Sequence, residues 1–398
     1  MKTIEFKLLL KPSQIKTLES WLRTCCWIYN QALEMRIKAR DRRKESVKYN
    51  AQQAWLTGMR SRIERLSEVP SEFERDALRR VERGFEDFFR RCKSGAMPGF
   101  PRFRPASQYD SMECLVHKSF IKKSRFLRIP KLGLVKIRSG SQRIPKTQKL
   151  LRIIRRASGW YGQVGVDEVK VIKNLEDHGP VGIDVGLESF ATMSDGSKIE
   201  NPRFRNKAQK KICSLSRSLS RKKKGSANRK KAVNRLAKHH ERVALQRRNF
   251  CHQHSTELVR KHPVIAVEKL NINGMKRNRR LAKSIHDAGW NTFTTQLTVK
   301  AANAGRVIVA VNPAGTSQEC PDCGATRKKK LSERTHSCAC GLKCHRDHAS
   351  ARVILARALG ATGATRLSRD STAVSSLVAV DQVDPMKQEG VTISSRLT

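Results

Sequence analysis

Two short cysteine pairs, each closed by a glycine, constrain this chain most: Cys320-Pro-Asp-Cys323-Gly and Cys338-Ala-Cys340-Gly, with 14 residues between them. Paired thiolates at such spacing describe a tetrahedral zinc ribbon. Glycine after the second cysteine of each pair lets backbone amides turn toward the sulfurs. The second pair has one intervening residue instead of two, so Cys344 competes with Cys340 as fourth ligand, and His336 and His345 also stand close in sequence. Four thiolates suffice and leave no open position, which points to structural rather than catalytic zinc. The chain has 11 cysteines, five of them between Cys320 and Cys344. Without a secretory leader, such a local cluster favours metal over disulfides.

Charge constrains the partner. Lys and Arg number 82 against 35 Asp and Glu, a net charge of +47. That excess repels itself unless a polyanion neutralises it, so nucleic acid is the expected partner. The 398 residues suffice for two or three domains. No apolar run approaches the ~20 residues of a membrane helix, and residues 1–10 read as a strand rather than a signal peptide, so a soluble, intracellular protein is expected. Residues 203–248 hold 18 Lys or Arg and one acid, Glu241. Against a disordered basic segment, the stripe Leu215, Leu219, Val233, Leu236 and Val243 favours two long helices around Lys224-Gly225-Ser226. Arg221, Lys222, Lys223, Arg229 and Lys230 are the candidate nucleic-acid contacts there.

Elsewhere, Ile4, Phe6 and Leu8 alternate as in a half-buried strand, and apolar positions from Ser13 to Ala32 recur at helical steps. A second helix is expected from Pro70-Ser71, with Ser71 and Glu74 as a capping box and Leu78, Val81, Phe85 and Phe88 or Phe89 as its core stripe. Its other face carries Arg79, Arg80, Arg83, Arg90 and Arg91, either solvated or facing a phosphate backbone, with Arg79 and Arg83 as candidate contacts. Short strands at 126–130, 134–138, 150–155 and 160–166, together with the N-terminal strand, are expected to close a small barrel into which helices 13–93 are inserted. Residues 174–179 read as a linker. After Gly360 the composition turns to Ser, Thr, Ala and Val and reads as a disordered tail.

Three acids carry the chemistry. Val181-Gly-Ile-Asp184-Val-Gly186 is an apolar strand with a carboxylate at its end, followed by a hairpin turn at Ser194-Asp195-Gly196. Pro263-Val-Ile-Ala-Val-Glu268 is a buried strand ending in an acid, costly unless that acid is ion-paired, hydrogen-bonded or bound to metal. Asp347 opens a helix whose apolar side is Ala351, Ile354, Leu355 and Ala358; alone, it would be an ordinary acid at a helix N-terminus. Three such acids can converge on two divalent cations, and oxygen-only ligands suit Mg or Mn.

At these residues the chain resembles the TnpB (OrfB) family, RNA-guided nucleases of small bacterial and archaeal insertion sequences related to compact type V CRISPR effectors. The matching segments are Asp184-Val-Gly-Leu, Ser194-Asp-Gly, Glu268-Lys-Leu-Asn-Ile-Asn-Gly-Met275, Leu281 to Trp290, Thr316-Ser-Gln-Glu-Cys320-Pro-Asp-Cys323-Gly and Arg346-Asp347. Upstream, Ala77-Leu-Arg-Arg and Gly99-Phe-Pro-Arg-Phe also match, while Ala349 stands where many relatives carry Asn. The resemblance implies an α/β multidomain fold. A wedge-like β-barrel (1–10 with 110–172) would carry a helical recognition insertion (11–109). An RNase H-like (RuvC) domain (178–315 with 345–360) would carry the zinc ribbon (316–344), and a disordered tail (361–398) would follow.

Function is implied as well: cleavage of target DNA beside a short transposon-associated motif, directed by a guide RNA from the transposon end. Asp184, Glu268 and Asp347 would bind Mg or Mn, and Cys320, Cys323, Cys338 and Cys340 would bind structural zinc. The protein would act as a cytoplasmic, nucleoid-associated monomer on double-stranded DNA. The alternatives are a DNA transposase with an RNase H-like site and a guided DNA-binding repressor without cleavage.

Overall fold

The computed structural model describes residues 2–115, 121–122, 126–138, 148–166, 172, 174–330 and 333–361. The expected tail lies outside these from residue 362 onward. The chain divides into two compact units, 1–169 and 170–398.

The first unit runs β1 (Lys2–Leu9), α1 (Pro12–Arg43), α2 (Tyr49–Arg60), α3 (Glu64–Glu68), α4 (Ser71–Lys93), β2 (Ser111–Leu115), β3 (Ile121–Lys122), β4 (Phe126–Ile129), β5 (Gly133–Arg138), β6 (Leu150–Arg156) and β7 (Gly159–Val166). The strands form one antiparallel sheet in the order β2-β6-β7-β1-β5-β4-β3. Its edge strands do not pair with each other among the described residues, so the sheet is open where a closed barrel was expected. The physical reason lies in the core: Ile4, Phe6 and Leu8 share one buried cluster with Trp21, Leu22 and Tyr29 of α1 and Phe73, Leu78 and Val81 of α4. Helices bury the apolar face that closure would otherwise have to cover.

Helix α4 corrects three further expectations. It is the fourth helix, because α2 and α3 precede it. Pro70 is its N-cap, without a side-chain cap, so the Ser71/Glu74 box does not form. Glu74 is fully buried and pairs with Arg60; an interior carboxylate must be spent on its counter-charge rather than on a cap. Arg80 likewise turns inward, 2.8 Å from Asp76 Oδ2, donating to Ser111 Oγ and lying over the Tyr109 ring.

The second unit runs β8 (Val181–Val185), β9 (Ser189–Met193), β10 (Lys198–Glu200), α5 (Phe204–Ser220), α6 (Ala227–Lys261), β11 (Val264–Glu268), α7 (Ile272–Met275), α8 (Arg279–Ala288), α9 (Trp290–Asn303), β12 (Val307–Val311), β13 (Thr335–Ser337), β14 (Lys343–His345) and α10 (Arg346–Ala361). Its main sheet has the order β10-β9-β8-β11-β12; β8–β10 are antiparallel, and β11 runs parallel to both β8 and β12. Residues 176–178 are hydrogen-bonded to the end of α6 rather than forming a free linker.

Period-two alternation sorts the two faces of this sheet. Val181, Ile183, Ile265 and Val267 pack with Phe190, Phe293 and Leu297 in one core, while Ala266 joins Ile354 and Ala358 of α10 in another. Gly182 lies on this second face. A Cβ built on it would sit 2.1 Å from the Ala351 carbonyl oxygen, so only glycine lets α10 lie this close to β8. The basic segment forms the two expected long helices, α5 and α6. Gly225 takes a left-handed turn (φ 85°) and Ser226 caps α6 by accepting the Arg229 amide.

Candidate functional site

The three acids come together on the α10 face of the main sheet. Val267 pairs with Ile183 across β11 and β8. Continuing that register by one residue sets Glu268 level with Asp184, both at the C-terminal ends of parallel strands. Asp347 arrives from the first turn of α10, its Oδ2 3.9 Å from a Cβ built on Gly186. Asp184 is pushed well above the usual carboxylate range by burial first, then by the negative charges of Glu268 and Asp347, with Arg346 opposing. Glu268 is also raised by burial, opposed by a hydrogen bond from Thr316 and by the charge of Arg357. Like charges gathered in a partly buried place are a standing electrostatic cost, and a bound divalent cation removes it.

Groups around the acids hold the frame. The Asp347 amide donates to His345 Nδ1 at 3.2 Å, and Arg346 Nε lies 3.5 Å from Asp347 Oδ1. His348 Nε2 stands 3.1 Å from the Ser194 carbonyl, and the Gly182 amide donates to Ser194 Oγ at 3.0 Å, so the β9–β10 turn ties α10 to β8. Thr316, Arg357 and His348 were not singled out from sequence. Thr316 lies inside a motif segment, but nothing in its neighbours reveals that its hydroxyl reaches an acid 48 residues away.

The sulfurs of Cys320, Cys323, Cys338 and Cys340 lie within 4.8 Å of one another. Cys320 and Cys340 are 3.7 Å apart and Cys323 and Cys338 3.4 Å apart. Zn–S bonds of ~2.3 Å in a tetrahedron require S–S edges of roughly 3.8 Å, so the donor set fits zinc. Cys340 is the member of the group; Cys344 sits on β14 opposite His336, and neither belongs to it. The backbone amide of Cys340 pulls the Cys338 thiol down to about 7, and the Cys323 side chain adds to this. The Cys320 thiol is also lowered: burial opposes this, but the amides of Cys323 and Asp322 outweigh it.

Of the basic candidates, Arg221, Lys222, Lys223 and Lys230 are exposed around the α5–α6 turn. Arg229 instead donates to the Leu219 and Lys222 carbonyls at 3.1 and 3.2 Å, closing that turn. In the first unit Arg79 lies 3.9 Å from Glu72, while Arg83 is half-exposed and 3.4 Å from Asp76.

Fold and site together define a mixed α/β protein with a clustered carboxylate group and a four-cysteine cluster able to hold a metal. The OrfB_IS605 family model, "Probable transposase", matches residues 161–279, and "Cas12f1-like, TNB domain" matches 290–354. A "Helix-turn-helix domain" model matches 1–45, where this chain has one strand and one 32-residue helix. A Streptomyces pristinaespiralis protein named "Putative RNA-guided DNA endonuclease" is 31% identical over 342 residues, 84% of each chain. "Putative RNA-guided DNA endonuclease InsQ" of Escherichia coli K12 is 29% identical over 359 residues, 85% of this chain and 88% of that one. Among solved structures, the "Cas12f1-sgRNA-target DNA complex" is similar in fold, with a TM-score of 0.53 at 15% identity over 86% of this chain and 82% of that chain. The chain belongs to the TnpB (OrfB) family.

Proposed function

We propose that this protein is an RNA-guided DNA endonuclease of an insertion-sequence element, cutting target DNA by divalent-metal-dependent phosphodiester hydrolysis. The observation that carries the reading is the meeting of Asp184, Glu268 and Asp347 on one face of a sheet ordered β10-β9-β8-β11-β12, the arrangement of an RNase H-like (RuvC) domain. Two relatives at 31% and 29% identity bear the name of that activity.

Asp184, Glu268 and Asp347 would hold Mg or Mn. Two such cations ~3.5–4 Å apart supply an activated water and stabilise the leaving oxygen. The chain's own contribution is to keep three carboxyl oxygen donors on rigid strand ends and a helix N-terminus, where few motions blur their geometry. Cys320, Cys323, Cys338 and Cys340 would hold zinc and keep residues 316–344 folded.

The remaining parts divide the labour of guided recognition. Base pairing with an RNA from the transposon end reads the sequence, while the protein reads a short adjacent DNA motif and backbone shape. We assign motif reading to the wedge sheet (1–10 with 110–172) and the helical insertion (11–109), and cutting to 178–315 with 345–360. Exposed Arg221, Lys222, Lys223 and Lys230 face phosphates, with Arg79, Arg83 and Arg229 in the same role once freed from their internal partners. The particle works as a cytoplasmic, nucleoid-associated monomer; among the described residues no helix is long and apolar enough to cross a membrane.

The test is cleavage of a motif-bearing duplex by the purified protein with its co-purifying RNA and Mg. Asp184→Ala is expected to lower cutting by at least ~10³-fold with target binding within about 3-fold of the parent, since the carboxylate serves the metal rather than the duplex. Intact target with parental protein and guide would leave a guided DNA binder, and strand transfer without RNA would establish a transposase.

A further inference from the structure

The hinge entering the ribbon reaches back to the second acid. Strand β12 ends at Val311, paired with Glu268 on β11. The chain then turns through Asn312, whose side chain accepts the Ala314 amide, and through Gly315 in the left-handed region (φ 77°). It arrives at Thr316, which is buried. Thr316 Oγ lies 2.5 Å from Glu268 Oε1 and 3.1 Å from the Pro313 carbonyl. The hydroxyl has one proton, and the shorter, charge-assisted bond to the carboxylate takes it.

The hinge is anchored on its other side by the helix that bears Asp347. Arg357 of α10 donates to the carbonyls of Asn312 at 3.0 Å and Ala314 at 2.8 Å, and its Nη2 lies 2.5 Å from Glu319 Oε2. Cys320 follows directly. One guanidinium thus holds the backbone just before Thr316 and the Glu319 side chain just after it, and the hinge presents one hydroxyl to Glu268.

We infer that Thr316 is a positioning residue for Glu268, held in place by Arg357. This rests on the reading of Glu268 as a metal-binding carboxylate. The residue type suits the task. A guanidinium or ammonium against Glu268 would neutralise the charge a cation needs, whereas a hydroxyl orients one oxygen and leaves the negative charge in place. Thr316 stands four residues before Cys320, so the segment that enters the cysteine cluster is the one that contacts Glu268.

The experiment uses the full chain with its co-purified RNA, comparing Thr316→Val, which keeps the shape, with Thr316→Ser, which keeps the hydroxyl. Single-turnover cutting is followed across a Mg titration, and target binding is measured separately in Ca or EDTA. Thr316→Val is expected to lose about 10–100-fold in maximal rate or in half-saturating Mg, as removed outer-shell partners of metal ligands do. Thr316→Ser should stay within about 3-fold of the parent, and both should bind target like the parent. The inference is overturned if Val cuts like the parent, if Ser is as slow as Val, or if Val loses target binding in step with rate. Should Val not fold, Thr316→Ala takes its place, and a rate equal to that of Ser overturns the inference equally. Glu268→Gln separates the two levels: full cutting by that variant refutes the metal-site reading itself, whereas a dead Glu268→Gln beside a fully active Thr316→Val refutes only the role of Thr316.

Discussion

Gly182→Ala asks one methyl group to test the architecture of the acid cluster. The added Cβ would lie 2.1 Å from the Ala351 carbonyl oxygen and 2.9 Å from the Leu355 amide nitrogen and Cβ. Ordinary contact begins near 3.4 Å, so α10 must retreat by about 1.3 Å or β8 must buckle. The strand has little freedom to buckle: Gly182 donates to Ser194 Oγ, its carbonyl accepts the Ser194 amide, and Ala266 pairs beside it on β11. Overpacking of this kind costs about 1–3 kcal/mol, and each kcal/mol lowers the melting point of a unit this size by about 2–4 °C. Helix α10 carries Asp347 away from Asp184 as it shifts. Since a displacement of ~1 Å costs on the order of 10²-fold in rate, cutting should fall far more than folding. The assay pairs calorimetry with single-turnover cleavage. Leu355→Ala should not rescue the variant, because the closest atoms belong to backbone. A Gly182→Ala protein that melts and cuts like its parent would refute the packing argument and, with it, the placement of α10.

Two further outcomes follow from the same geometry. Replacing Cys320 and Cys323 by Ser should lower the melting point of the second unit and abolish its stabilisation by added zinc, because structural zinc contributes folding free energy directly; an unchanged melt would exclude a structural metal. In metal-free buffer, Asp184→Asn should raise the melting point near neutral pH. The folded-state pKa of Asp184 is raised by burial, then by Glu268 and Asp347, so the native state binds more protons than the unfolded chain and loses stability as pH rises through that value. The advantage of Asn should therefore shrink as pH falls through the raised pKa toward the unfolded ~3.9. A pH-independent difference would mean that neither burial nor the neighbouring acids raise the Asp184 carboxyl in the folded state.

Local pattern was sufficient for about half of the elements. Alternation at Ile4, Phe6 and Leu8 gave a strand, helical spacing gave α1, and a glycine between basic runs marked the α5–α6 turn. It failed where a polar side chain had a choice of partners. Ser71 and Glu74 fit a capping box, yet Arg60 claims Glu74; Arg80 was expected on a solvated or phosphate-facing surface, yet Asp76, Ser111 and Tyr109 take it inward. Both preferences depend on segments distant in the chain, and burial makes the ion pair outweigh the cap.

The same division separates the two candidate metal centres. The cysteine pairs sit in one short stretch, so their spacing almost defined the cluster, and only the choice of Cys340 over Cys344 waited for the β13–β14 hairpin. The three acids were visible by themselves as strand ends and a helix start, because those are local properties of sequence. Their convergence required the parallel register of β8 and β11 and the close approach of α10 over Gly182, and the grip of Thr316 on Glu268 required the hinge that Arg357 holds. Periodicity is written within a few residues, whereas register and side-chain partnership are settled only when distant segments pack and bury their charges together.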